Sequence, residues 1–237
     1  MTLDDWLERA RDDDRIVGVV LTGSRGRDAM VHEASDWDVR VAVADGHEQF
    51  ADSLDTPHGS EVEVAATTVS SFRAWPDWDR YSFAHAKVLV DKLGGEFEHI
   101  VARLGSLDDA EAASLARDAV GAYTNLLYRS LRDAALGIDL AARLDASESI
   151  SSLITAIFAL ERRVRPFNKY LGWELEQHPL VEWNSTVLVE LLAGALTGAA
   201  EEQCRLFRTV EEQIRRHGLG DLVDDWQPHV LFLRGIR

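Results

Sequence analysis

VVLTGSRGRDAMVHEASDWDVRVAV, residues Val19 to Val43, reads as a strand ending at Leu21-Thr22, a Gly23-Ser24 turn, a short helix or loop, and a second strand opening with Asp36-Trp37-Asp38. Alternate side chains of a strand share a face, so Asp36 and Asp38 point one way while Trp37, Val39, Val41 and Val43 point the other. Carboxylates two residues apart on a strand stand about 7 Å from one another, close enough to share a hard divalent cation. Mg²⁺ is commonly held by one or two carboxylates plus substrate phosphates. Gly23 has no side chain, which lets backbone approach a phosphate closely, and Ser24 adds a hydroxyl donor. Together these parts suit a metal-bound triphosphate.

An acidic chain places Asp-x-Asp by chance on solvated loops, but this pair follows an apolar strand and a Gly-Ser turn, with eleven residues between turn and first acid. A further acidic pair, Glu61-Val62-Glu63-Val64, lies on a later strand. In that combination the chain resembles the DNA polymerase β-type nucleotidyltransferase superfamily, and within it the small-molecule branch that includes aminoglycoside and lincosamide nucleotidyltransferases. The core of the resemblance runs from Ile16 to Phe72, with a weaker echo to Asp91. It implies a nucleotidyltransferase domain followed by a helical domain, and a two-metal in-line displacement with ATP or another NTP as substrate. Asp36 and Asp38 would hold two Mg²⁺ ions, and Glu63 would complete the second metal site or act as base. Alternation alone leaves Glu61 and Glu63 open as the third acid. The valine-acid-valine context ahead of Phe72 favours Glu63 on the resemblance. Gly23 and Ser24 would cradle the β- and γ-phosphates.

The 237 residues fit one large domain or two modest ones, and 46% hydrophobic residues suffice for a sizeable core. A net charge of −16 argues against broad electrostatic binding to nucleic acid, which needs a basic face. The same charge suits a solubilising surface and is compatible with a cationic small molecule. The lone cysteine, Cys204, excludes an intrachain disulfide and suits a reducing cytoplasm. The acidic start MTLDDWLERARDDD lacks the order of a signal peptide and reads as an amphipathic helix. The most apolar later run, Val187 to Ala200, is too short to span a bilayer, so no membrane partner is expected.

The fold class expected is α+β: a small mixed sheet flanked by helices over residues 1–100, then an all-α helical bundle over 101–237. Ile16–Leu21 is apolar throughout, as for a strand buried on both faces. Strands are expected at Asp36–Val43, Glu61–Thr68 and Lys87–Asp91, a helix at His47–Leu54, and an irregular segment at Arg73–Tyr81. From Glu96 onward helical spacing dominates, with helices expected at Asp108–Leu144, Ser149–Val164, Val187–Thr197, Glu201–His217 and Leu219–Leu233.

Between those helices, Glu161 to Trp173 sets four cations, Arg162, Arg163, Arg165 and Lys169, in an acidic chain. They suit a basic helix end as well as a triphosphate. The functional assignment is Lys169, aided by Arg165 or Arg162, as a charge on the departing pyrophosphate. Arg25 and Arg27 follow the Gly-Ser turn, and contact with phosphate or ion pairs with Asp28 or Glu33 are both open; Arg25 is carried as a nucleotide-binding candidate. Arg40 shares the face of Asp38 and could pair with a carboxylate. Tyr170, Trp173 and Trp183 could stack on a base, although core packing is the commoner fate. No zinc spacing occurs among the eight histidines and no Walker-type loop is present. The expected activity is therefore transfer of a nucleoside monophosphate, most simply AMP from ATP, to a hydroxyl of a small molecule such as an antibiotic. The rival classes are a nucleotidyltransferase-fold antitoxin or protein-modifying enzyme, and a nucleotide-binding pseudoenzyme.

Overall fold

A computed structural model describes residues 2–236. The chain divides into two compact units, Met1–Leu107 and Asp108–Arg237. The first opens with α1 (Leu3–Asp12), started by a Thr2–Asp5 capping box, and continues through β1 (Ile16–Leu21) and the four-residue α2 (Gly23–Gly26). Next come β2 (Trp37–Val43), α3 (Glu48–Asp52), β3 (Val62–Thr68) and α4 (Val69–Arg73). A 3₁₀ segment at Asp77–Phe83 leads into β4 (Lys87–Asp91) and α5 (Glu96–Leu104).

The four strands form one mixed sheet in the order β3-β2-β1-β4. β1 runs antiparallel to β2 and β4, and β2 runs parallel to β3. Both faces are covered. Val19, Val39, Val41, Val62 and Val64 pack with Trp6 and Ala10 of α1 and Ala51 and Leu54 at α3. Val17, Val20 and Ala42 pack with Phe72, Phe83, Phe97 and Ile100 on the other side. This double burial is why β1 lacks polar alternation. Gly18 makes it possible on the α5 side, since a Cβ there would lie 2.5 Å from the Phe97 ring.

The second unit is helical. It contains α6 (Asp109–Ala135), α7 (Asp139–Leu160), a 3₁₀ turn at Asn168–Tyr170, α8 (Leu171–Gln177), α9 (Ser185–Leu196), α10 (Ala200–Arg216), α11 (Asp221–Asp224) and α12 (Val230–Leu233). Its core gathers Val120, Tyr123, Leu127, Leu153, Ile157, Leu188, Leu191, Phe207, Val210 and Val230. The architecture is thus a four-stranded mixed sheet with helices, followed by a helical region.

Several expectations need correction. β2 begins at Trp37 and β3 at Val62, so Asp36 and Glu61 sit one residue outside their strands. The segment expected to be irregular contains the Asp77–Phe83 3₁₀ helix, whose Asp79 carboxylate accepts from Trp75 Nε1 and Ser82 Oγ. The long helix expected to reach Leu144 stops at Ala135, because Gly137 takes φ +73°, a left-handed conformation that glycine adopts readily. Helical spacing resumes at Asp139 and runs unbroken through Ser149. The last expected helix is two separate short ones, α11 and α12, with Pro228 between them, a residue that cannot donate to a helix ladder.

Candidate functional site

The site is built where β1 ends and β2 begins. Thr22 N–H donates to the Asp38 carbonyl at 2.8 Å, and Thr22 Oγ1 reaches the same oxygen at 3.1 Å. That pins the chain leaving β1 onto the first turn of β2. Gly23 then turns with φ +64°, and a Cβ on it would stand 1.8 Å from Asp38 Oδ2. The Gly-Ser turn and the Asp38 carboxylate therefore occupy adjoining space, and only glycine fits between them. Ser24 is buried, and its Oγ makes no hydrogen bond among the described residues.

β2 and β3 are paired so that Asp38 faces Glu63, with Trp37 opposite Val62 and Val39 opposite Val64. Parallel neighbours in register carry their side chains on one face. Asp38 and Glu63 thus stand side by side at the open end of the sheet. Asp36, half-buried, lies just before the strand. Burial raises the Asp38 pKa above the ordinary carboxylate range, and the negative charges of Asp36 and Glu63 push the same way. Arg40 and Arg27 partly offset this. Arg40, two residues along the same face, makes no ion pair among the described residues, so it acts on Asp38 through space rather than by contact.

Glu63 is held by His58, whose Nδ1 lies 2.6 Å from Glu63 Oε1. The His58 side chain is 98% exposed and that of Glu63 17%. Glu61, outside the strand, is exposed. Among the described residues no three or more His, Cys, Asp or Glu side chains are grouped to hold a metal ion. A ready three-carboxylate cage of Asp36, Asp38 and Glu63 is therefore not formed. The Glu63 carboxylate is engaged with His58. The remaining donor set, two carboxylates with hard oxygen atoms, fits Mg²⁺ of the kind that takes its other ligands from phosphate and water.

The two arginines after the turn both bond backbone carbonyls. Arg25 donates through Nε and Nη2 to the Ser35 carbonyl at 3.0 and 2.8 Å and lies over the Trp37 ring at 4.3 Å. Buried Arg27 donates to the carbonyls of Gly23 at 3.0 Å and Tyr81 at 2.9 Å. Neither ion pair weighed for Arg25 forms; Asp28 instead meets Lys87 Nζ at 2.5 Å.

Lys169 belongs to the second unit, where its Nζ lies 5.2 Å from the Tyr170 ring centre. Its neighbouring cations have local partners: Arg162 binds Asp109 at 2.7 Å, Arg163 binds buried Glu174 at 2.8 Å, and Arg165 binds Asn168 Oδ1 at 2.8 Å. Tyr170 is buried and Trp183 packs against the helical core. Trp173 lies 5.1 Å from the His178 ring.

Sequence reasoning missed Thr22 and His58, and it weighed Arg27 only for phosphate or for Asp28 or Glu33. Thr22 carried a signal, a hydroxyl residue at a strand end directly before the glycine. The partners of Arg27 lie 54 residues away at Tyr81 and those of His58 depend on how the Pro57-His58-Gly59 turn folds back, so neither was readable locally.

No family model matches the chain, and no curated protein matches it. Among solved structures it is similar to a nucleotidyltransferase-like protein from Exiguobacterium sibiricum 255-15, at 11% identity over 93% of this chain and 88% of that one, with a TM-score of 0.44. A likeness at that level decides neither family nor activity. No helix among the described residues is long and apolar enough to cross a membrane.

Proposed function

We propose that the first unit carries a nucleotidyltransferase site that moves a nucleoside monophosphate from an NTP, ATP first among them, to a hydroxyl group of a small molecule. The observation that carries this reading is the abutment of Gly23 on Asp38: a Cβ at Gly23 would overlap Asp38 Oδ2 at 1.8 Å. It makes the side-chain-free turn and the acidic strand end two walls of one site, which is the juxtaposition a metal-bound polyphosphate requires. Asp36 and Asp38 would hold Mg²⁺, which when bound neutralises phosphate charge and polarises the phosphoryl group under attack. The raised pKa of Asp38 supports this, since a carboxylate crowded by burial and by other acids gains most from a cation.

The chain's own groups would do the rest. The Gly23-Ser24 turn would cradle the phosphates, and Ser24 Oγ, which makes no hydrogen bond among the described residues, would donate to a phosphate oxygen. Glu63, beside Asp38 in register, would take the proton of the acceptor hydroxyl. Its tie to His58 orients the carboxylate for that task. A second ion completed by Glu63, as the resemblance implies, would require Glu63 to leave His58.

The test is Mg²⁺-dependent release of pyrophosphate from each of the four common NTPs in the presence of pooled hydroxyl-bearing compounds, aminoglycosides and lincosamides included. Release that appears with a subset of acceptors and vanishes in Asp36→Ala and Asp38→Ala supports the reading. Release unaffected by both substitutions contradicts it.

A further inference from the structure

Arg25 reaches toward the acid loop, and its contacts bracket one residue. Its Nε and Nη2 both donate to the carbonyl of Ser35, at 3.0 and 2.8 Å, and its guanidinium lies 4.3 Å from the centre of the Trp37 ring. Ser35 and Trp37 are the residues on either side of Asp36. Asp36 itself precedes β2, so the strand ladder does not fix it. The nearest ladder bond is Trp37 N–H to the Glu61 carbonyl at 2.9 Å, and on the other side Ser35 N–H closes a local turn onto the His32 carbonyl at 2.9 Å. Between these two anchors the Arg25 brace is what ties the loop to the rest of the site.

Arg25 is itself well placed to serve as an anchor. It sits in α2, whose Gly26 amide bonds to the Thr22 carbonyl at 2.9 Å, and Thr22 is bonded to the Asp38 backbone. A chain of contacts thus runs from the Asp38 backbone through Thr22 and α2 to Arg25, and from Arg25 to both neighbours of Asp36. Arg27 performs the matching task on the turn, joining the Gly23 carbonyl to that of Tyr81.

From this geometry we propose that Arg25 is a positioning residue for Asp36. By holding Ser35 and Trp37 it sets the Asp36 carboxylate beside Asp38, so that the pair presents itself to a divalent cation before any nucleotide arrives. This role differs from phosphate binding, and it rests on the metal–nucleotide reading above. Arginine suits it because a planar guanidinium gives two donors to one acceptor while stacking on an indole, which an ammonium does not reproduce.

The test uses the full chain, free of nucleotide, with Mn²⁺ as the probe and free Mn²⁺ read by electron paramagnetic resonance. Removal of an outer partner that orients a metal ligand commonly weakens metal affinity about 10- to 100-fold, and that loss is expected for both Arg25→Ala and Arg25→Lys. Binding of ATP at saturating Mg²⁺ should stay within about twofold of wild type, because the brace does not touch phosphate. Hydrogen exchange read by mass spectrometry should quicken over residues 33–37 in Arg25→Ala and stay unchanged in β1 and β4, which also shows that the variant is folded. Unchanged Mn²⁺ affinity, or lost ATP binding at saturating Mg²⁺ with Mn²⁺ affinity intact, overturns the proposal; the second pattern makes Arg25 a phosphate ligand. If the wild type binds no Mn²⁺, the metal–nucleotide reading fails, and exchange alone decides the brace: faster exchange at residues 33–37 upholds it and unchanged exchange overturns it.

Discussion

Asp38 and Gly23 show what the site demands of single residues. Asp38 has its pKa raised, first by burial and then by Asp36, so its ionised form is disfavoured in the folded chain. A group raised in this way contributes stability below its unfolded value of 3.8, and that contribution is lost as pH rises through the folded value. Asp38→Asn is therefore expected to raise the melting temperature at pH 7 while abolishing transfer, with the stability gain shrinking to nothing below pH 3.8. Thermal melts of both proteins from pH 3 to 8 check this, and a variant less stable than wild type at pH 7 contradicts it. Gly23→Ala should lower turnover by about 10²-fold or more, because the new methyl must displace the Asp38 carboxylate and a shift of about 1 Å at a reacting centre has that consequence. Steady-state rates on folded Gly23→Ala decide it, and near-normal turnover would show that the turn does not abut the working carboxylate. Much of this scale was legible: Gly23, Asp36 and Asp38 announce themselves by type and spacing. The closeness of Gly23 to Asp38 was not, since it depends on the path of the chain between them.

Among the elements, the parallel pairing of β2 and β3 decides which acid lies beside Asp38. The register sets Glu63 opposite Asp38 and leaves Glu61 outside the strand and exposed. Glu63→Gln should cut turnover by about 10²- to 10⁴-fold, the usual contribution of a positioned acid or base, while Glu61→Gln stays near wild type. Rates for the two variants in parallel test the register, and the reverse ranking would contradict it. Strand periodicity made β1, β2, β3 and β4 readable to within a residue, because alternation and β-branching are local properties. The 3₁₀ helix at Asp77–Phe83 was not readable, since what holds it includes Arg80 bonding the carbonyls of Leu104 at 3.0 Å and Arg103 at 2.9 Å, more than twenty residues on. The α6–α7 break was hidden by apolar spacing that continues on either side of Gly137, with the exposed Leu136, Ile138 and Leu140 imitating a helix face.

Across the whole molecule, a sheet unit carries the candidate chemistry and the helical unit has its own core and its own charge network. In the latter, Glu211 is buried and joins Arg215 at 2.9 Å and Arg234 at 2.5 Å, and these bonds, Arg234 foremost, lower its pKa. A lowered carboxylate contributes stability above its unfolded value of 4.5 and loses it as pH falls through the folded value. Glu211→Gln should then cost about 2 kcal/mol at neutral pH and less in acid, as measured by urea unfolding at several pH values. The basic run from Arg162 to Lys169 shows the limit of reading sequence at this scale. Arg162 finds Asp109 across 53 residues, a pairing created by α6 and α7 packing together rather than by local pattern. The central claim, that Asp36 and Asp38 make a metal–nucleotide site, is tested most directly by calorimetric titration of ATP into the intact chain. The account predicts binding in Mg²⁺ that is lost in EDTA and lost again in Asp38→Ala with Mg²⁺ present. Equal binding under all three conditions, or none in any, would contradict it.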